Sequence, residues 1–360
     1  MIPDAFLTWT AIGISLLALG VGVVTLVTAA WVYYTRRRND TVRDDLRSDL
    51  FEHLFSGDPD WAAWVDTLSR TERRQLLILL EEYLRKLRGT EHGRLCDLAA
   101  ELGVQDRARR NIERGRKRFR ALTWLALLNE EVDPDRLESC CSGSSQLRAG
   151  AARVLHEAGH PDAPRIGTEL IVDGESLTAF GLDTLYRLND GSETPLLSAM
   201  NRGVDEWTPR LLVQVLIALR HCTIANPRDE LGWLPRLLEH ESPRVRAAAI
   251  GVLERHGWRE EIHAEIDIGA LLADPDAAVR HDTYLLLASW NTDRSGEWLH
   301  RALTTAAGAD RLALVRAFRS HSRTELPEPS PELEPFVDWV RADEAVGRRR
   351  RVWGVSAAWA

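Results

Sequence analysis

The chain has 360 residues, 46 basic and 54 acidic, for a formal net charge of −8. Apolar residues at 44% and charged ones at 28% describe a folded protein rather than a disordered one, and the acid excess argues against nucleic acid as the main partner. Lys86 and Lys117 are the only lysines, no G-x-x-x-x-G-K-[ST] phosphate loop is present, and Cys96, Cys140, Cys141 and Cys222 form no C-x-x-C pair and read as free thiols.

From Phe6 to Thr35 no residue is charged. That length predicts a single membrane-spanning helix over 6–35, within an anchor segment 1–38. Trp9 lies near one end and Trp31, Tyr33 and Tyr34 near the other, and Arg36, Arg37 and Arg38 follow at once. The positive side stays inside, so the expected location is the cytoplasmic membrane, N-terminus out and the rest of the chain in the cytoplasm. Ala11, Ser15, Ala18, Gly22, Thr25 and Ala29 form a small-residue seam, which suggests a homodimer through this helix.

Residues 39–105 read as a helical cap. "TERRQLLILLEEYLRKL" opens with Thr71 as its expected cap, and "EHGRLCDLAAELG" is expected to stop at Gly103. Next comes "RARRNIERGRKRFR", with Arg107, Arg109, Arg110, Arg114, Arg116, Lys117, Arg118 and Arg120 against one acid. This stretch is either a binding surface for anionic groups or a solvated helix face.

From 106 to 322 a helical repeat runs through the chain, with apolar anchors at Leu125, Leu155, Leu185, Leu219, Leu253, Leu287 and Phe318. Their spacings are 30, 30, 34, 34, 34 and 31 residues, the range of a solenoid of helix pairs. Seven residues before the anchor stands an arginine in five copies: Arg118, Arg148, Arg246, Arg280 and Arg311. Small residues recur four before it, and Asn129, Gly159, Asn189, Gly257 and Asn291 stand four after it as expected helix stops. The expected fold is therefore all-α, an anchor followed by an α-solenoid.

"SPRVRAAAIGVLERHG" and "DPDAAVRHDTYLLLASWN" resemble the second helix of HEAT-type repeats, the class also found in phycobilisome-lyase-like proteins. The resemblance implies stacked antiparallel helix pairs whose concave surface binds a partner and does not imply a catalytic activity; the expectation is a protein-binding chain, not an enzyme, with no cofactor. With the expected anchor, it suggests a scaffold within a membrane complex such as a glycosyltransferase assembly.

One stretch speaks for an enzyme. His156, Glu157 and His160 spell H-E-x-x-H, the zinc-protease signature when all three lie on one helix. The repeat argues against it, because Gly159 occupies the helix-stop column and Pro161 follows. A di-iron HEAT enzyme of the deoxyhypusine hydroxylase type needs His-Glu pairs early in the second helix. Here only His281–Asp282 falls in that register, with aspartate in place of glutamate. Residues 323–360 read as a linker rich in proline (Pro327, Pro329, Pro331, Pro335), one helix, and a tail. In that tail Arg348 to Arg351 precede Trp353 and Trp359, a second possible membrane contact.

Overall fold

The computed structural model describes the backbone of residues 4–57, 59–191, 194–223, 231–257, 266–326 and 331–352. Side chains are described from Gly20 to Asp343, apart from residues 32, 35–36 and 38–39 within these ranges. Every regular element among the described residues is a helix. The chain divides into two compact units, Met1–Glu130 and Glu131–Ala360.

The first unit holds α1 (Asp4–Phe55), α2 (Trp61–Thr67), α3 (Arg70–Lys86), α4 (Thr90–Glu101), α5 (Val104–Glu113) and α6 (Arg118–Leu127). The expected membrane span is corrected here. Among the described residues no helix is long and apolar enough to cross a membrane. The helix does not stop after the arginines; it runs on as one rod through a charged segment into this unit's core. There Leu46, Leu50 and Leu54 are buried, on the side where α1 packs on α3. The anchor, its orientation and the cytoplasmic-membrane location fall with the span. Of the small-residue seam, Ala11, Ser15 and Ala18, like Trp9, lie outside the described side chains, while Gly22, Thr25 and Ala29 are exposed.

The cap of α3 also differs. Ser69, not Thr71, accepts from the Glu72 N–H, and Glu72 Oε2 accepts from the Ser69 N–H at 2.8 Å. The reciprocal box needs an acid three residues after the cap, which Ser69 has and Thr71 lacks.

The second unit stacks helix pairs: α7 (Pro134–Cys141) with α8 (Ser145–Glu157), α9 (Ala163–Val172) with α10 (Ala179–Asn189), and α11 (Pro195–Gly203) with α12 (Pro209–His221). It continues with α13 (Leu234–Leu238) and α14 (Pro243–His256), α15 (Ile268–Leu272) and α16 (Ala277–Trp290), then α17 (Asp293–Thr305) and α18 (Ala309–Ser320). The second helices α8, α10, α12, α14, α16 and α18 each pack on the next, a solenoid-like all-α arrangement. The anchors from Leu155 to Phe318 are at most 2% exposed, as is Leu125 in the first unit. Small residues four before the anchor, such as Ala151, Ala249 and Thr283, are buried and let neighbouring helices approach.

The last helix, α19 (Glu334–Val352), lays Val337 and Val340 against Val315 of α18. Pro327 and Pro329, and the tail side chains including Arg348 to Arg351, Trp353 and Trp359, lie outside the described residues.

Candidate functional site

The H-E-x-x-H stretch is divided by a helix end. α8 stops at Glu157; Gly159 takes φ +71°, its N–H bonds the His156 carbonyl, and the His160 N–H bonds the Leu155 carbonyl at 3.1 Å. This left-handed cap turns the chain, so the two imidazoles do not share a helical face. Glu157 accepts from Arg153 Nε at 2.7 Å, and His160 Nδ1 accepts from the Asp162 N–H. His156 is half-buried, and that burial lowers its pKa. Among the described residues no group of three His, Cys, Asp or Glu is placed to hold a metal. His281 Nε2 lies 2.7 Å from Asp310 Oδ1, so it is engaged by an aspartate of the next turn.

One arrangement that imitates catalytic geometry had no signal in the sequence. Ser295 Oγ lies 2.9 Å from His321 Nε2, both residues buried. A serine nucleophile needs that nitrogen unprotonated. His321 Nδ1 accepts from the Arg323 N–H, so Nε2 carries the proton and faces the Thr292 carbonyl, to which the Ser295 hydroxyl also donates. The pair caps α17 and holds no base. Two thiols are also poor nucleophiles: burial pushes Cys96 up to about 11 and Cys222 up to about 12.

The arginine column acquires a mechanical meaning. Each of four arginines folds back on the turn that precedes its own helix: Arg148 to the Ser142 carbonyl, Arg246 to those of His240 and Glu241, Arg280 to Asp274 and Pro275, and Arg311 to Ala306. Three also reach forward. Arg246 grips Asp274 through both Nε and Nη2 at 2.7 and 2.8 Å, Arg280 meets Asp310 at 2.9 Å, and Arg311 meets Glu332 at 2.8 Å. Burial alone would raise the Asp274 pKa; the Arg246 bonds outweigh it and hold the carboxyl below its ordinary value. The column thus joins successive turns and is consumed in doing so.

The second helices also present an exposed side. Two residues before the anchor stand Arg153, Asp183, Ile217, Gly251, Leu285 and Arg316. Arg153 bonds Asp183 at 2.9 Å, and Arg316 sits 4.8 Å over the Trp339 ring. Between these polar ends Ile217 and Leu285 are 42% and 43% exposed. Gly251 lies between them in register, with the Arg220 stem so close that a β-carbon would meet its Cδ at 3.3 Å. Arg220 in turn bonds Glu254 at 2.7 Å. Asp282, on the same helix as Leu285, is half-buried, and burial raises its pKa.

The basic stretch is split by the α5–α6 turn. Arg109 pairs with Glu130. Arg110, Arg114 and Arg116 are exposed, and Arg118 is half-buried at the start of α6. Arg107, Lys117 and Arg120 converge on one groove. No family model, curated protein or solved structure matches the chain.

Proposed function

We propose that the chain is a protein-binding scaffold, a HEAT-like solenoid whose second-helix face takes a protein partner and which performs no chemistry of its own. The observation that carries this reading is the stripe through Ile217 and Leu285. It leaves large apolar side chains in solvent on a surface whose other charged positions are already paired, as binding surfaces do. The zinc-protease alternative has no support from the cap at Gly159.

The test compares full-length wild type with Ile217→Glu/Leu285→Glu as bait, quantifying each co-purifying protein by mass spectrometry. A partner retained by wild type and by an Arg255→Glu control, but lost at least about tenfold from the stripe variant, supports the reading. Equal recovery of every partner by all three baits would overturn it.

A further inference from the structure

The first unit carries a groove of about 390 Å³ between α3, α5 and α6. Apart from Asn111, its polar lining is cationic: Arg74 from α3, Arg107 from α5, and Lys117 and Arg120 from the start of α6. All four are exposed, and among the described residues none makes an ion pair, in contrast to Arg109 with Glu130. Its floor is apolar. Val104, Ala108 and Trp124 are buried there, and Ile78 stands 43% exposed at its edge. No acidic side chain lines it.

This concentration runs against the charge of the chain as a whole. It also runs against local helix electrostatics. The first turn of α6 contains no acid and no side-chain cap, and Lys117 stands at the cap in the left-handed region at φ +48°. Positive charge at a helix N-terminus is unfavourable on its own, and an incoming anion relieves it. The floor decides which anion. A bare phosphate gains nothing from apolar surface, whereas a peptide side chain does. A nucleic-acid strand would want an exposed aromatic face for stacking, and the one ring here, Trp124, is only 8% exposed. Arginines suit carboxylates, which they bind in a two-pronged fashion.

We propose that this groove is a second docking site, taken by an acidic peptide segment of a partner protein that seats one apolar side chain on the floor between carboxylates held by Arg74, Arg107, Lys117 and Arg120. The site is separate from the solenoid face and stands or falls independently of it.

Fluorescence anisotropy on the full-length protein tests this, with a labelled synthetic peptide of glutamates flanking one leucine as the probe. The acidic peptide binds, and its affinity drops at least about tenfold between roughly 50 and 200 mM salt. A peptide with lysines in place of the glutamates does not bind, and one with serine in place of the leucine binds more weakly. Arg107→Glu/Arg120→Glu abolishes binding, Ile78→Glu weakens it, and Arg110→Glu/Arg114→Glu, exposed charges outside the groove, leaves it within about threefold. Circular dichroism of each variant checks that its helices are intact. Three results would overturn the proposal: no binding of the acidic peptide at low salt, equal loss in the groove and control variants, or capture of oligothymidylate or inorganic phosphate with the acidic peptide ignored.

Discussion

At Arg246 and Asp274 a guanidinium and a carboxylate lie in the turn layer, 13% and 8% exposed, bonded twice to each other and further to backbone. Removing one partner of such a pair strands the other charge, which costs more than the pair itself contributes. Asp274→Ala should therefore destabilise the chain by about 3 kcal/mol in urea unfolding, while an Arg246→Met/Asp274→Leu double variant recovers part of that loss. Losses that simply add would mean the two side chains are not coupled. His256 supplies a pH effect. It is buried, its Nε2 lies 3.0 Å from the Leu219 carbonyl, and burial outweighs that bond to lower its pKa. His156 is lowered by burial too. Below their ordinary value of 6.5 the unfolded chain binds more protons than the folded one, so stability falls as pH drops through about 6.5 toward 5. The carboxylates held low, Glu72, Glu82, Asp183 and Asp274, contribute their loss only at more acidic pH, below about 4.5. Urea midpoints at about pH 7.5 and 5.5 should differ in wild type and differ less in His156→Gln/His256→Gln. An unchanged difference would assign the effect elsewhere.

A helix in this fold is defined by its anchor and its stop. Leu253 and Leu287 are fully buried, so Leu253→Asp or Leu287→Asp places a charge in the core and should cost at least about 3 kcal/mol, enough to lower the melting temperature sharply. Arg255→Ala and Ser289→Ala, on exposed positions of the same helices, should stay within about 0.5 kcal/mol. His156 and Glu254, one residue after their anchors, are half-buried, and Glu254 bonds Arg220. The stops divide into two kinds. Asn129, Gly159 and Asn291 turn left-handed at φ +51°, +71° and +51°. Asn189 remains in its helix; its buried amide donates to Thr168 Oγ1 and accepts from the Leu196 N–H, tying three helices together. Gly257 keeps a negative φ. Asn291→Gly keeps the left-handed turn but loses the bonds of the Asn291 amide with the Ser322 hydroxyl at 2.7 Å and N–H at 2.8 Å, and should cost about 1 kcal/mol, whereas Asn189→Ala leaves buried polar groups unmatched and should cost about 2 kcal/mol by thermal unfolding.

Across the second unit, each helix pair rests on its neighbours, so a lesion should spread by adjacency. In Leu253→Asp, hydrogen exchange should quicken in α12, α14 and α16 and remain slow in α8 and α9. Uniform acceleration throughout would show an all-or-none unit instead. For the molecule as a whole, the charge balance has the same logic. Much of the acid and arginine content is spent on pairs inside the stack, so the places where charge is unspent, the α3–α5–α6 groove above all, are where a partner gains most.

The sequence alone determined the helical periodicity, the anchor leucines and the stop at Gly159. Each follows from spacing or backbone preference within a dozen residues, which survives without knowledge of neighbours. Its expected span over Phe6–Thr35 is not met by any helix among the described residues, and apolarity over one window did not reveal that the same helix continues to Phe55 and places Leu46, Leu50 and Leu54 in a core. It did not foresee that Arg246 and Arg280 clamp the turns, that Ser295 and His321 meet, or that Arg74 joins Arg107, Lys117 and Arg120 around one groove. Those pairings join residues on different helices, and only the packing of one helix against another decides which charges find a partner and which are left facing solvent.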